Sequence, residues 1–209
     1  MRKKIVVCED HSIIIDGLEA LFRDHEKFTL VGHTAEGSRL LSLLHQTSPD
    51  FVLLDLNLKD TDGFSVLEKI RKTYPDLIVL IFTMYQDEFL VEKARKLGAN
   101  GYLLKQSSYE ELEEALNVST QEFYMTRSMR EDMDKKRLFR DAFASKMKLT
   151  RRELELIPYL VRGKTSVILG EELNLSPLTI ETHRKNIFRK LQINTTIELV
   201  NFAHANNLL

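Results

Sequence analysis

Cysteine is almost missing from this 209-residue chain, in which Cys8 stands alone. A single thiol excludes an internal disulfide and a zinc site built on cysteines, and it points to a reducing, cytoplasmic setting. No apolar stretch approaches the ~18 residues expected of a membrane-spanning helix. The segment MRKKIVVCED starts basic, but Glu9 and Asp10 cut its apolar part far short of a secretion signal. Repeats and low-complexity tracts are also absent. What remains, 43% hydrophobic and 29% charged residues, is a globular composition with room for one large or two modest domains.

Net charge is nearly absent too, at −1 overall, yet it is unevenly spread. Residues 1–118 carry 14 Lys+Arg against 20 Asp+Glu, a net −6, and residues 119–209 carry 16 against 11, a net +5. An acidic half followed by a basic half suggests two domains, the second suited to nucleic acid.

The first half alternates two periods. IVVC (5–8), FTLVG (28–32), FVLLD (51–55), LIVLIF (77–82) and GYLL (101–104) are short apolar runs that read as strands. Helical spacing fills the gaps at 12–24, 38–46, 64–73 and 87–97. Ser107 or Ser108 then caps YEELEEAL, whose acids sit in the first turn where the helix dipole favours them. Pro49 and Pro75 each stand just before a strand, where a helix must stop. Five strands alternating with five helices predict an α/β domain, a five-stranded parallel, doubly wound sheet of flavodoxin-like type. Residues 119–148 contain neither glycine nor proline and are rich in charge, a pattern that fits either a continuous helix or a loose linker. From Leu149 on, short helices follow one another without a strand, which predicts a small all-α domain. The expected boundaries are 1–118, a partly helical linker at 119–147, and 148–209.

Ligands of an open parallel sheet sit at the carboxyl ends of its strands. Glu9 and Asp10 end the first strand, Asp55 the third, Thr83 follows the fourth and Lys105 the fifth. Three crowded carboxylates repel unless a cation lies among them, and Mg2+ with oxygen ligands resolves that conflict. Lys105 adds a point charge and Thr83 a hydroxyl for the same phosphoryl group. This set suits acceptance of a phosphoryl group on a carboxylate, with Asp55, on the central strand, as nucleophile. Taken singly, a strand-end Asp is usually a turn residue or cap, and Thr83 could cap the next helix; the coincidence of all five lowers that bland reading. A phosphatase with an aspartyl nucleophile needs a second carboxylate two residues later, and Asn57 occupies that position, so an enzyme is disfavoured.

Residues 1–118 resemble the receiver domain of two-component response regulators, carried by Glu9-Asp10, Asp55, Thr83, Tyr102 and Lys105 and by GANGYLLK (98–105). The resemblance implies phosphotransfer from a histidine kinase to Asp55, with Mg2+ held by Glu9, Asp10, Asp55 and the backbone carbonyl of Asn57. It also implies that Thr83 and Tyr102 move together on phosphorylation, and that any hydrolysis of the product is slow self-dephosphorylation. Departures are Leu58-Lys59 where the family often has Met-Pro, predicting a less rigid and more basic loop, Glu9 for the commoner Asp, and Gln106 where many relatives carry a cis proline.

In the second half, TSVILGEELNLSPLTIETHRK (165–185) has the punctuation of a helix-turn-helix. Ser176 is a good N-cap and Pro177 suits the first helical position. Ile180, Ile187 and Leu191 share an inward face, with Thr182, Lys185 and Arg189 opposite and Glu181 on the shoulder. Such a helix can enter a major groove. His183 borders the buried face and reads as a packed residue. Arg184 is expected to pack its stem while its guanidinium reaches a phosphate. Residues 149–207 resemble the LuxR/FixJ-type DNA-binding domain, through LTRRELE, the Gly163 stop and LSPLTIETHRKNIFRKL. The resemblance implies contact with double-stranded DNA, with Glu181, Thr182 and Lys185 at its usual base-facing positions, and dimerisation supported by the last helix; Thr179, Arg184 and Arg189 complete the expected DNA-binding set. Departures are Gly170 for the usual Ala, at a helix cost of about 1 kcal/mol or less, and an apolar Ile168. The expected function is a transcriptional regulator of the NarL/FixJ type, a homodimer when phosphorylated or DNA-bound; the alternative is a DNA-binding regulator that acts without phosphate.

Overall fold

The computed structural model describes residues 2–118, 122–206 and 208. The chain divides into two compact units, Met1–Glu131 and Asp132–Leu209.

The first unit alternates β1 (Lys3–Cys8), α1 (Ser12–Phe22), β2 (Phe28–Thr34), α2 (Gly37–Thr47), β3 (Phe51–Leu54), α3 (Gly63–Thr73), β4 (Ile78–Thr83), α4 (Glu88–Lys96), β5 (Gly101–Leu104) and α5 (Tyr109–Ala115). Each strand is one of the apolar runs, and β3 and β5 are buried along their whole length, as a sheet covered on both faces requires. Three of these helices start at a side-chain cap. Asp62 caps α3, Asp87 caps α4, and Ser108 with Glu111 forms a capping box on α5. Asp87, not Thr83, therefore begins α4, and Thr83 is left at the end of β4.

All strand pairs are parallel, in the order β2-β1-β3-β4-β5-β6. The sixth strand, β6 (Tyr124–Met125), lies in the segment expected to be linker and pairs with Gly101 and Tyr102 of β5. Two residues carry no readable period, which is why the sequence pattern predicts only five strands. Strand order reverses between β1 and β3, whose ends lie level, with Cys8 opposite Leu54. That is the switch point at which open sheets bind ligands. One face of the sheet packs Val7, Phe28, Phe51, Leu53, Leu80 and Leu103 against Leu18 and Phe22 of α1 and Leu112 of α5. Alternate strand residues such as Val52, Leu54, Val79 and Ile81 point to the other face and are equally buried.

From Arg127 the expected linker is helical: α6 (Arg127–Met147) runs for 21 residues, while its positions 119–121 lie outside the described residues. The second unit continues with α7 (Arg151–Val161), α8 (Ser166–Leu173), α9 (Pro177–Leu191) and α10 (Thr196–Ala205). Thr150 and Glu153 form a capping box on α7, and Gly163 at φ +74° follows its end. Asn174, in the left-handed region, makes the turn between α8 and α9, and Ser176 caps α9 with Pro177 in its first turn. Phe143 of α6 joins Leu156, Leu169, Ile180, Ile187 and Leu199 in a separate core. A Cβ on Gly170 would lie 2.7 Å from the Leu175 carbonyl oxygen. Glycine here admits that close approach of the turn, which qualifies the expectation that it only weakens α8.

Candidate functional site

At the carboxyl edge of the sheet, β1 delivers Glu9 and Asp10, β3 delivers Asp55, and β5 delivers Lys105. Glu9, Asp55 and Thr83 are buried. Lys105 Nζ donates to Asp55 Oδ2 at 2.8 Å and lies 2.7 Å from Glu9 Oε2. Burial by itself would lower the Lys105 pKa, but hydrogen bonds to Asp55 and Glu9 outweigh it, and the net direction is upward. The ammonium therefore stays charged throughout the neutral range. Cys8, next to this cluster, has its thiol pushed up to about 12, first by burial and then by neighbouring carboxylates. It remains a protonated, buried thiol.

Four buried atoms of this group have no hydrogen-bond partner, Glu9 Oε2, Asp10 Oδ1, Asp55 Oδ1 and Thr83 Oγ1; the first two lie within ion-pair distance of Lys105 and His11, which leaves Asp55 Oδ1 and Thr83 Oγ1 unmatched. A buried carboxylate oxygen left unpaired is costly unless a cation or a donor meets it. Glu9, Asp10, His11 and Asp55 each offer an atom within 4.8 Å of the others. Mostly oxygen donors and an unpaired oxygen fit a divalent cation, so the pocket is consistent with a divalent metal site.

His11 was not among the residues expected at the site. Its Nδ1 lies 2.7 Å from Glu9 Oε1 and 2.8 Å from Asp10 Oδ1; the signal was its place directly after the acidic pair. Lys59, which stands where the family often has proline, has its ammonium 3.7 Å from Asp10 Oδ2.

The loop after Asp55 is fastened at several points. Asn57 bridges to Asp62, and Gly63 N–H donates to the Leu56 carbonyl at 3.0 Å. Asp60 accepts from the backbone N–H groups of Gly37 and Ser38, at 2.9 and 3.0 Å. It thereby supplies the N-terminal cap of α2 that Glu36 does not, and these bonds, Ser38 first, hold its carboxyl below the usual range. The looseness expected from the missing proline is thus offset by hydrogen bonding. Among the described residues every peptide bond is trans, including Lys105–Gln106.

Thr83 pairs with Leu104 across β4 and β5, and its carbonyl accepts from the Lys105 N–H at 2.9 Å. Tyr102 is fully buried and its hydroxyl donates to the Tyr85 carbonyl at 2.8 Å. Burial raises its pKa, so the phenol remains a donor.

In the second unit, α9 buries Ile180, Ile187 and Leu191 and exposes Thr182, Lys185 and Arg189. Thr179 is held in the cap: its N–H donates to Ser176 Oγ at 3.0 Å, and the two hydroxyls lie 2.8 Å apart. Glu181 accepts the Ser166 hydroxyl, tying α9 to the start of α8. The Arg184 guanidinium donates to Thr196 Oγ1 at 3.0 Å, which holds it against α10. His183 is half-buried, and Ile168 is exposed. Lys190 and Glu153 form an inner ion pair at 2.6 Å, joining α9 to α7.

Two family models match the chain. The response regulator receiver domain covers residues 5–117, and the luxR family of bacterial regulatory proteins covers residues 147–203. The oxygen regulatory protein NreC of Staphylococcus epidermidis is 30% identical over 99% of each chain. A structure of RcsB from Salmonella enterica serovar Typhimurium, bound to promoter rprA in the presence of phosphomimetic BeF3−, is 21% identical with a TM-score of 0.61 over 96% of this chain and 98% of that one. A structure of two RcsB dimers bound to two parallel DNAs is likewise 21% identical, with a TM-score of 0.62 over 98% of each chain. No described helix is long and apolar enough to cross a membrane.

Proposed function

Because this chain belongs to the two-component response regulators that join a receiver domain to a LuxR-type DNA-binding domain, we propose that Asp55 is its phosphoacceptor and that phosphorylation there governs DNA binding. One observation carries the reading: Asp55 is buried at the end of the central strand, with one oxygen on Lys105 and the other unpartnered.

The donor is a phosphohistidine on a cognate histidine kinase. An oxygen of the Asp55 carboxylate attacks phosphorus, the P–N bond breaks, and the imidazole leaves as the neutral base by taking a proton from solvent. Mg2+ bound by Glu9, Asp10, Asp55 and the Asn57 carbonyl would supply positive charge to the transferring oxygens. Lys105 gives a second, fixed charge, and the Thr83 hydroxyl has its donor free for a phosphoryl oxygen. Drawing Thr83 toward that oxygen alters the packing beside Tyr102, whose bond to Tyr85 is then the second part of the switch. In the second unit Thr179, Glu181, Thr182, Lys185 and Arg189 form the surface that meets double-stranded DNA. Arg184 supports that surface by fixing α9 to α10 and adds its charge near the backbone. A homodimer would place two copies of α9 on paired half-sites, and the DNA partner implies a cytoplasmic protein.

The test is incubation with Mg2+ and a small-molecule phosphodonor, read by intact mass. Wild type gains one phosphoryl group and Asp55→Ala gains none. Equal labelling of the two, or labelling of neither, overturns Asp55 as the acceptor. For DNA, loss of affinity on Lys185→Ala and a steep fall with salt are expected.

A further inference from the structure

Leu178 stands in the first turn of α9 with 77% of its surface exposed. At 100° per residue, Leu178, Thr182, Lys185 and Arg189 fall in one stripe, opposite the buried Ile180, Ile187 and Leu191. Thr182 donates its hydroxyl to the Leu178 carbonyl at 2.9 Å. With that hydrogen committed to its own helix, Thr182 has its methyl left to meet a partner. The stripe therefore begins with two carbon surfaces and ends with two cations. Purely apolar partners are a poor match for Lys185 and Arg189, and a plain polyanion leaves Leu178 unpaired. A DNA major groove offers both: phosphates along its rims and, on its floor, one exposed apolar group, the thymine C5-methyl.

We propose that Leu178 and Thr182 read thymine through its methyl group, so that the bases facing the first two turns of α9 are specified as thymine. This rests on α9 being the recognition helix. Glu181, held beside the stripe by Ser166, keeps its carboxylate off the apolar step, and Lys185 and Arg189 anchor the helix on phosphates or guanine edges.

The experiment uses the full chain and a duplex that it selects from a random-sequence library. Each thymine of that duplex is replaced singly by uracil, which removes the methyl and leaves the pairing edge unchanged. Wild type loses affinity about fourfold at one or more positions, the worth of burying one methyl-sized group. Thr182→Ser keeps the hydroxyl bond and removes only the methyl. It and Leu178→Ala each bind the thymine and uracil forms equally at the position they read. Lys185→Ala weakens both forms alike and keeps the discrimination. The proposal is overturned if wild type distinguishes no thymine from uracil, or if Leu178→Ala and Thr182→Ser both retain full discrimination. Failure to enrich any duplex is a different result: it removes the recognition helix itself, and this inference with it.

Discussion

Lys105 is bonded to two buried carboxylates at once, and its worth lies in what its loss would leave behind. Lys105→Met strands Asp55 and Glu9 as uncompensated charges in a dry pocket. Breaking a buried pair in this way costs about 3–5 kcal/mol, measurable as a lower urea midpoint. Added Mg2+ should recover part of the loss in the variant, since a cation bound only by the folded state stabilises it. The pH dependence follows from the direction of the shift. The folded pKa of Lys105 lies above the ordinary 10.5, so the stabilisation is complete below that value and fades as pH rises through the raised one. Lys105→Met should accordingly lose the alkaline dependence that wild type shows.

Elements show both how far the sequence reaches and where it stops. Strand and helix periods are local, and so is the placement of acids and Lys105 at strand ends; these were legible residue by residue. Strand β6 was not, because two residues paired on β5 have no pattern of their own. Neither were the Asp60 cap on α2, the Lys59–Asp10 pair or the Arg184–Thr196 bond, since each partner lies in another element and only folding brings them together. The capping box on α7 is local to LTRRELE, but the second bond of Glu153 is not, since it meets Lys190, 37 residues away. Burial works to raise the Glu153 pKa, but Lys190 and the Thr150 bonds prevail and hold it below 4.5. Its stabilisation is present above that ordinary value and lost as pH falls through the lowered one. Glu153→Gln should cost about 1.5–3 kcal/mol near neutrality, as for a lost bond to a charged group, and the gap from wild type should close in acid unfolding below the lowered pKa. A second element-level test concerns the start of α3. A Cβ on Gly63 would sit 2.3 Å from the Asp55 carbonyl oxygen and 2.7 Å from Leu56 Cα. Both are main chain, so Gly63→Ala must shift either α3 or the exit of β3. About 1–3 kcal/mol of stability is expected to go with it, together with slower phosphoryl labelling of a displaced Asp55.

At the scale of the whole molecule, the Asp55 pocket and the α9 surface belong to units with separate cores, so the proposed regulation requires a coupling free energy between them. Such coupling is reciprocal for binding. If occupation of the Asp55 pocket by Mg2+ with beryllofluoride, a phosphoryl mimic, raises affinity for a selected duplex by some factor, that duplex must raise affinity for the mimic by the same factor. Couplings of this kind are typically about 5–150-fold. Two titrations check the relation: duplex binding with and without the mimic, and mimic binding with and without saturating duplex. Equal factors above one are expected, and in Asp55→Asn, which cannot seat the mimic as a carboxylate does, adding it should leave duplex affinity unchanged. A duplex that binds tightly while leaving mimic affinity unchanged would mean that α9 acts without reference to Asp55, the phosphate-independent regulator. Leu178→Ala distinguishes the two halves of the mechanism: it should weaken the duplex and leave the coupling factor intact, because its side chain meets the base and not the switch.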